Sequence, residues 1–222
     1  MPALASVNLA APRANPWKAV PWTGIDKQPQ DGPVAVRDPG PKATGLGSGL
    51  VGDFVGDTAH HGGAEQAVYA FAREDLDAWK ERLGRVLPNG FFGENLTTRG
   101  LDVNDARIGE RWRIGDEVEL VVTGPRIPCS TFRGWVGLRD WLKVFTREAR
   151  PGAYLRVATP GTIVATDAVE VVHRPDHDVS VALAYRAITL ERELLPRLLA
   201  AGDDLPDELR AAAVAGEPFA LD

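Results

Sequence analysis

The sequence predicts a mixed α/β, β-rich fold with a small C-terminal helical appendage. Three observations carry this. From Arg107 to Val122 apolar residues recur with a period of two, the mark of half-buried strands. The chain holds 23 Gly and 17 Pro, which favour many turns over long helices. After Arg174-Pro175 the texture shifts to Ala, Leu, Glu and Arg, the composition of helices. The division expected is therefore a β-rich domain over residues 1–175 and a helical appendage over residues 176–222.

Residues 1–50 read as an extended, turn-rich lead-in, because Pro and Gly recur from Pro12 to Gly49 around one alternating patch, Val34-Ala35-Val36-Arg37. Trp17 and Trp22 are expected to cover core surface there. Ala67-Val68-Tyr69-Ala70-Phe71 reads as a short buried strand leading into a helix from Arg73 to Leu83. In that helix Ala72, Leu76, Trp79 and Leu83 keep helical spacing, acidic residues sit near the start, and Gly84 supplies the stop.

The period-two stretch carries Ile108, Trp112, Ile114, Val118, Leu120 and Val122, broken at Gly109 and Gly115-Asp116, and reads as a meander of short strands. Further strands are expected at 153–157, 162–165 and 169–173, the first two joined by a Thr159-Pro160-Gly161 turn. In the appendage Leu190, Leu194, Leu198 and Leu199 lie along one helical face, and Leu205-Pro206-Asp207-Glu208 opens a last helix, since Pro is tolerated in a first turn.

Composition excludes several classes. Of the 222 residues 44% are apolar and 25% charged, which suits a folded globular chain. The formal charge is −6 and no Lys/Arg run tracks a phosphate backbone, so general nucleic-acid binding is not expected. One cysteine allows no internal disulfide, which fits a reducing compartment. No segment approaches the ~18 consecutive apolar residues of a membrane span, and the start lacks the features of a signal peptide, so the expectation is a cytoplasmic protein with no membrane partner. The apolar helices leave packing within one chain and a homodimer both open.

Three segments combine reactive groups with open backbone. In the first, 51–63, His60-His61 precede Gly62-Gly63, which sets imidazoles beside backbone N–H groups suited to proton transfer and to holding an anion. A zinc site is a poor reading, since sequence neighbours point apart and no second Cys/His cluster completes the ligand set; two exposed loop histidines is the bland one. In the second, 91–102, Glu94, Asn95 and Thr97 offer donors and acceptors beside Gly93 and two aromatic rings, the mixture expected around a polar heterocycle, or around a loop that caps its own turns. In the third, Thr123 to Arg133, Pro125 and Pro128 stiffen the backbone ahead of Cys129, with Arg126 and Arg133 flanking it. If they flank it in space they favour the thiolate, a nucleophile and soft-metal ligand; the alternative is a packed, inert thiol.

These segments, in this order, resemble the MOSC family, named for its relation to the C-terminal part of molybdenum-cofactor sulfurase. The matching stretches are Gly56-Asp57 through His60-His61-Gly62-Gly63 with Gln66-Ala67-Val68-Tyr69, then Phe92 to Thr97, Ile108-Gly109-Glu110, Ile114-Gly115, Pro125 to Cys129, and Gly152 to Val157 with Gly161 and Asp167. They span about residues 45–172, and the helical end resembles the YiiM-like branch. Glu110 departs from the Asp that many members carry.

The resemblance implies a β-barrel-like core, with Cys129 matching the functional cysteine, and a bound molybdenum cofactor of the molybdopterin type; pyridoxal phosphate is not expected. For the branch it implies reduction of N-hydroxylated bases and related compounds, a detoxifying oxidoreductase activity. On that basis Cys129 is expected to ligate molybdenum, His60 or His61 to supply protons or orient the substrate, and Arg126, Arg133, Gly62 and Gly63 to hold the cofactor phosphate or tune the thiolate. Glu94, Asn95 and Thr97 are expected on the cofactor side, with Asn95 and Thr97 meeting the pterin edge. No flavin, haem or iron–sulfur signature is present, so electrons are expected from a separate reductase. The competing expectation is a non-catalytic carrier of the cofactor or of a persulfide sulfur on the same cysteine.

Overall fold

The computed structural model describes residues 1–219 of the chain. Eight strands form the main sheet: β1 (Ala3–Ala10), β4 (Lys27–Pro29), β6 (Val68–Ala72), β7 (Leu96–Arg99), β8 (Arg111–Ile114), β9 (Val118–Pro125), β10 (Ala153–Thr159) and β12 (Val169–His173). Their order is β12-β8-β9-β10-β6-β7-β1-β4. Two ribbons complete the strands, β2 (Arg13–Ala14) with β3 (Trp22–Thr23) and β5 (Val34–Val36) with β11 (Gly161–Ile163).

All neighbours in the main sheet run antiparallel except β6 and β7, whose parallel pairing needs a crossover. Helix α1 (Arg73–Leu83) supplies it, and Gly84, in the left-handed region at φ 63°, ends that helix. The sheet curls until the start of β12, at one edge, comes alongside the start of β1. Ala3 bridges Ala168, the Leu4 N–H donates to Asp167 O, and the Val169 N–H donates to Pro2 O, which gives the barrel-like form.

Strand β1 corrects the sequence reading, which took residues 1–50 as a lead-in. Its Ala-rich sequence with Ser6 and Asn8 has little intrinsic strand preference, so pairing on both sides decides its conformation. The polar pair is buried and satisfied: Ser6 Oγ donates to Asn8, and Asn8 Nδ2 donates to Glu94 O and Thr97 Oγ1.

Two further helices, α2 (Ser130–Val136) and α3 (Trp141–Glu148), follow the Cys129 turn in a stretch to which the sequence reading assigns no element. Local propensity gives α2 little support, because Gly134 lies inside it. A Cβ there would stand 2.1 Å from Trp17 Cγ, so the glycine makes room for the indole. An aromatic cluster holds both helices. Phe92 lies 5.1 Å from Phe132, 5.2 Å from Phe71 and 5.6 Å from Trp141 between ring centres, each pair in an edge-to-face arrangement worth about 0.5–1.5 kcal/mol beyond burial. Trp17 covers core surface as expected, whereas Trp22 is 52% exposed.

The C-terminal helices α4 (Val181–Thr189) and α5 (Asp207–Ala215) flank a 3₁₀ segment at Arg192–Asp204. They pack on the sheet interior, and Val181, Ile188, Leu195 and Leu198 share one apolar cluster with Leu4, Trp112 and Leu120. The single leucine face read from sequence is not what forms. With Pro196 inside and near-threefold winding, Leu195 and Leu198 align inward, while Leu190 and Leu199 are exposed.

Candidate functional site

Strand β9 ends at Pro125, and Cys129 stands at the head of α2, with its backbone oxygen accepting the Arg133 N–H. The prolines between fix the path from sheet to helix and hold the thiol at one place in the wall of a large cleft. Burial pushes the Cys129 thiol up. The hydrogen bond to the His61 side chain, the Arg126 charge and the Phe132 N–H outweigh it and bring the thiol down to about 6, so at neutral pH it is mainly thiolate.

His61 reaches the thiol because the 57–63 turn is tightly held. The His61 N–H donates to Asp57 O at 2.9 Å. Gly62 and Gly63 have φ of 79° and 78°, and a Cβ on Gly63 would sit 2.5 Å from Lys42 Cα. The two histidines separate, as adjacent side chains do. His60 is 64% exposed on its side chain and lies 3.1 Å from Asp57. Burial raises Asp57, yet hydrogen bonds from Lys18 and His60 hold its carboxyl at about 2. The Gly63 N–H is already spent on Gly47 O, so Gly62 is the one of the pair that faces the cleft.

Two spaces meet at Cys129. The outer cleft, about 1190 Å³, is lined on one side by Lys18, Lys42, His60, Gly62 and Arg156 and on the other by the segment from Asp203 to Phe219. Lys42 and Glu208 join across it at 2.9 Å. The inner pocket, about 120 Å³, runs behind the thiol among Asn15, Thr23, Lys27, Asp53, Asn95, Arg126 and Thr131. His61, Gly62, Gln66, Cys129 and Tyr154 line both spaces.

The floor of the inner pocket is a buried ion pair. Lys27 Nζ lies 2.5 Å from Asp53 Oδ1, and Asp53 also accepts from Ser48, Asn95 Nδ2 and the Ala10 N–H. Arg126, 5% exposed, has its guanidinium 3.7 Å from the Phe132 ring centre and 5.6 Å from that of Tyr69. Its Nη1 has no hydrogen-bond partner among the described residues, and neither has Gln66 Oε1. Orphaned buried atoms beside a cavity mark where a ligand's polar groups would go.

The remaining residues singled out from sequence are placed elsewhere. Glu94 is fully buried and lines neither space. Its carboxylate accepts from the Gly90 N–H, the Phe92 N–H and Thr97 Oγ1, so it organises the 90–97 loop from within, and Thr97 is buried with it. Burial pushes Glu94 up to about 7 despite those donors. Arg133 is exposed on α2 and lines neither space, so it does not flank the thiol. Among the described residues no group of three or more His, Cys, Asp or Glu side chains is arranged to hold a metal. No helix of the described residues is long and apolar enough to cross a membrane.

Sequence reasoning about the site passed over Gln66, Tyr154, Arg156 and Asp53, although all four stand in or beside segments it had marked. Lys18, Lys42 and Lys27 come from the proline-rich lead-in, where no local pattern distinguishes a cleft lysine from a solvated one.

The pattern of the MOSC domain matches residues 57–170. Among curated proteins, the chain is 33% identical over 135 residues to the uncharacterized protein YflK of Bacillus subtilis, covering 61% of each. It is 29% identical to protein YiiM of Escherichia coli, over 60% of each. It is also 30% identical over 187 residues to a protein of Gibberella moniliformis named reductase, covering 83% of this chain and 31% of that one. The chain thus spans less than two thirds of the length of these relatives. Among solved structures, YiiM from Geobacillus stearothermophilus superposes with a TM-score of 0.77 at 27% identity, over 97% of this chain and 99% of that one. A cleft built around the segments that carry the resemblance, a matching domain pattern over half the chain and a shared fold lead to one assignment: this chain belongs to the MOSC domain family and is a YiiM-like member of it.

Proposed function

We propose that the protein binds a molybdenum cofactor in the outer cleft, with Cys129 as metal ligand, and reduces N-hydroxylated bases and related N-hydroxy compounds to amines. MOSC domains are associated with molybdenum-cofactor chemistry in general. The observation that carries the reading here is the thiolate: a single low-lying thiol, hydrogen-bonded by His61, at the junction of a large cleft and a small pocket.

The residues present fit such a cofactor. Thiolate suits a soft metal. The cleft of about 1190 Å³ is large enough for a cofactor, at the upper end of ligand sites. Lys18, Lys42 and Arg156 offer cations to a phosphate, and Gly62 offers close backbone approach. Gln66 presents an unpartnered acceptor to the N–H edge of a pterin. When bound, the group supplies two-electron redox chemistry at the metal.

The chain's own residues do the rest. His61 holds the thiolate and would pass a proton to the leaving oxygen, while His60, at the rim and paired with Asp57, would exchange protons with solvent. The carboxylate-bearing segment 203–217 forms the opposite wall and is joined to the Lys42 side by the Lys42–Glu208 pair. Electrons come from a separate reductase, and the overall change takes one N–OH group, two electrons and two protons to one amine N–H and water.

The test is anaerobic turnover by cofactor-loaded protein with a chemical reductant, following conversion of an N-hydroxylated purine to the amine, in wild type and Cys129→Ser. Turnover lost in the variant supports the reading, and equal rates in both overturn it. Molybdenum bound without turnover favours a carrier of the cofactor instead.

A further inference from the structure

The two walls of the outer cleft carry opposite charge. One presents Lys18, Lys42 and Arg156, and the 203–217 segment faces it with Asp203, Asp204, Asp207, Glu208 and Glu217. Each cation has an acidic partner. Lys18 lies 2.9 Å from Asp57, on its own side of the cleft, and Arg156 interacts with Glu65. Lys42 instead reaches across, to Glu208 on α5 at 2.9 Å.

Helix α5 is lightly attached. It packs mainly on the 192–204 segment, through an inner face of Leu209, Ala212 and Ala213. Only Leu209 is long enough to rest on β9, where a Cβ on Gly124 would stand 3.4 Å from its Cδ1. Upstream, the chain turns at Gly202, with φ 54° and ψ −131°, a backbone that side-chain-bearing residues rarely adopt, and with open space where a Cβ would be. Such a glycine is a pivot. Arg210 folds back onto Gly202 O and Leu205 O, and beyond the helix the Phe219 N–H donates to Ile188 O. Helix α5 is thus a strap with a pivot at one end and the Lys42–Glu208 pair across its span. Asp207 and Glu208 sit in its first turn, where carboxylates favour the helix dipole, so the helix itself does not depend on Lys42.

Electrostatics sets what breaks the pair. Lys42 is 27% and Glu208 67% exposed on their side chains, and an exposed pair shifts an equilibrium by roughly fivefold at most. A phosphate group at Lys42 and Arg156 would bring negative charge beside Glu65, Asp207 and Glu208, which are already crowded. Burial pushes the Glu65 carboxyl up, Arg156 opposes that, and Asp207 and Glu208 push it further up.

We propose that Glu208 is an internal competitor for anions: it occupies Lys42 until a phosphate group takes its place, and its release lets α5 swing outward about Gly202. The reading of the outer cleft as a cofactor site supplies only the identity of that phosphate. The strap thereby couples entry of the anion to opening of the wall.

The experiment is calorimetric titration of the purified full chain with inorganic phosphate at neutral pH and constant ionic strength. Glu208→Gln is expected to bind phosphate about threefold to fivefold tighter than wild type. Glu217→Gln removes a cleft carboxylate that no ion pair joins to Lys42, and is expected to gain clearly less. On a Lys42→Met background Glu208→Gln is expected to bring no gain. In wild type, phosphate is expected to speed amide hydrogen exchange over 202–210 about threefold relative to sodium chloride of equal ionic strength. Equal phosphate binding by wild type and Glu208→Gln, binding by neither, a gain from Glu217→Gln as large as from Glu208→Gln, a gain that survives Lys42→Met, or unchanged exchange overturns the inference. Competition by Glu208 in a protein that takes up no molybdenum leaves the inference standing and removes the cofactor reading; molybdenum uptake without that competition does the reverse.

Discussion

Replacing His61 by Ala removes the hydrogen bond that holds the Cys129 thiolate, and leaves the burial that opposes it. A hydrogen bond to a charged group contributes about 1.5–3 kcal/mol, which at roughly 1.4 kcal/mol per pKa unit moves the thiol up by about 1–2 units. Starting from about 6, the thiolate share at pH 7 falls from about 90% to between about 50% and 10%. Because the chain has one cysteine, the ultraviolet absorbance of thiolate and the rate of alkylation by iodoacetamide both report on Cys129 alone. Each is followed against pH in wild type and variant. The sign is fixed: with a folded pKa below that of a free thiol, the thiolate persists above pH 6 and is lost as the pH falls through it. A wild-type midpoint in the ordinary thiol range, or a midpoint that His61→Ala does not move, refutes the electrostatic account of the site.

Further outcomes are expected. Glu94, raised from 4.5 to about 7 by burial, binds its proton more tightly in the folded chain, so its contribution is full below pH 4.5 and lost as the pH rises through 7. It thus lowers stability by up to about 3 kcal/mol over that window, and denaturant titrations at pH 5 and pH 8 should show a smaller difference for Glu94→Gln; an unchanged difference excludes Glu94 as its source. Asp53→Ala strands Lys27 in the pocket floor and is expected to cost about 3–5 kcal/mol in chemical unfolding, whereas a loss below 1 kcal/mol would mean that the lysine finds water instead. Gly63→Ala meets both a φ of 78° with ψ 178° and the Lys42 backbone. It is expected to lower stability by about 1–3 kcal/mol and, by displacing Lys42, to weaken cofactor uptake, and thermal unfolding with metal analysis checks both.

The sequence carried the parts of this fold whose physics is local. Helix α1 forms over Arg73–Leu83 as its spacing and Gly84 require, and β8, β9, β10 and β12 follow the alternating stretches. What it did not carry depends on distant partners. β1 is a strand because β7 and β4 pair with it, and α2 is a helix because Trp17 and the Phe92 cluster receive it. The same division runs through the site. Cys129, His61, Gly62, Asn95 and Arg126 were legible as chemistry in turns, and they converge. Glu94 and Arg133 carry the same kinds of functional group, yet burial inside a loop and exposure on a helix remove them from the cleft, and no local pattern reports that. The cleft lysines were silent because a long flexible side chain serves a solvated surface and a ligand site from identical sequence.

We propose that Cys129 holds molybdenum through its thiolate. The most direct test is the molybdenum content of protein purified from a host that makes the cofactor, measured by elemental analysis in wild type and Cys129→Ser side by side, with circular dichroism confirming that both are folded. Near-stoichiometric metal in wild type and its loss in the variant is the result this account predicts. Wild type without molybdenum, or equal molybdenum in the two proteins, contradicts it.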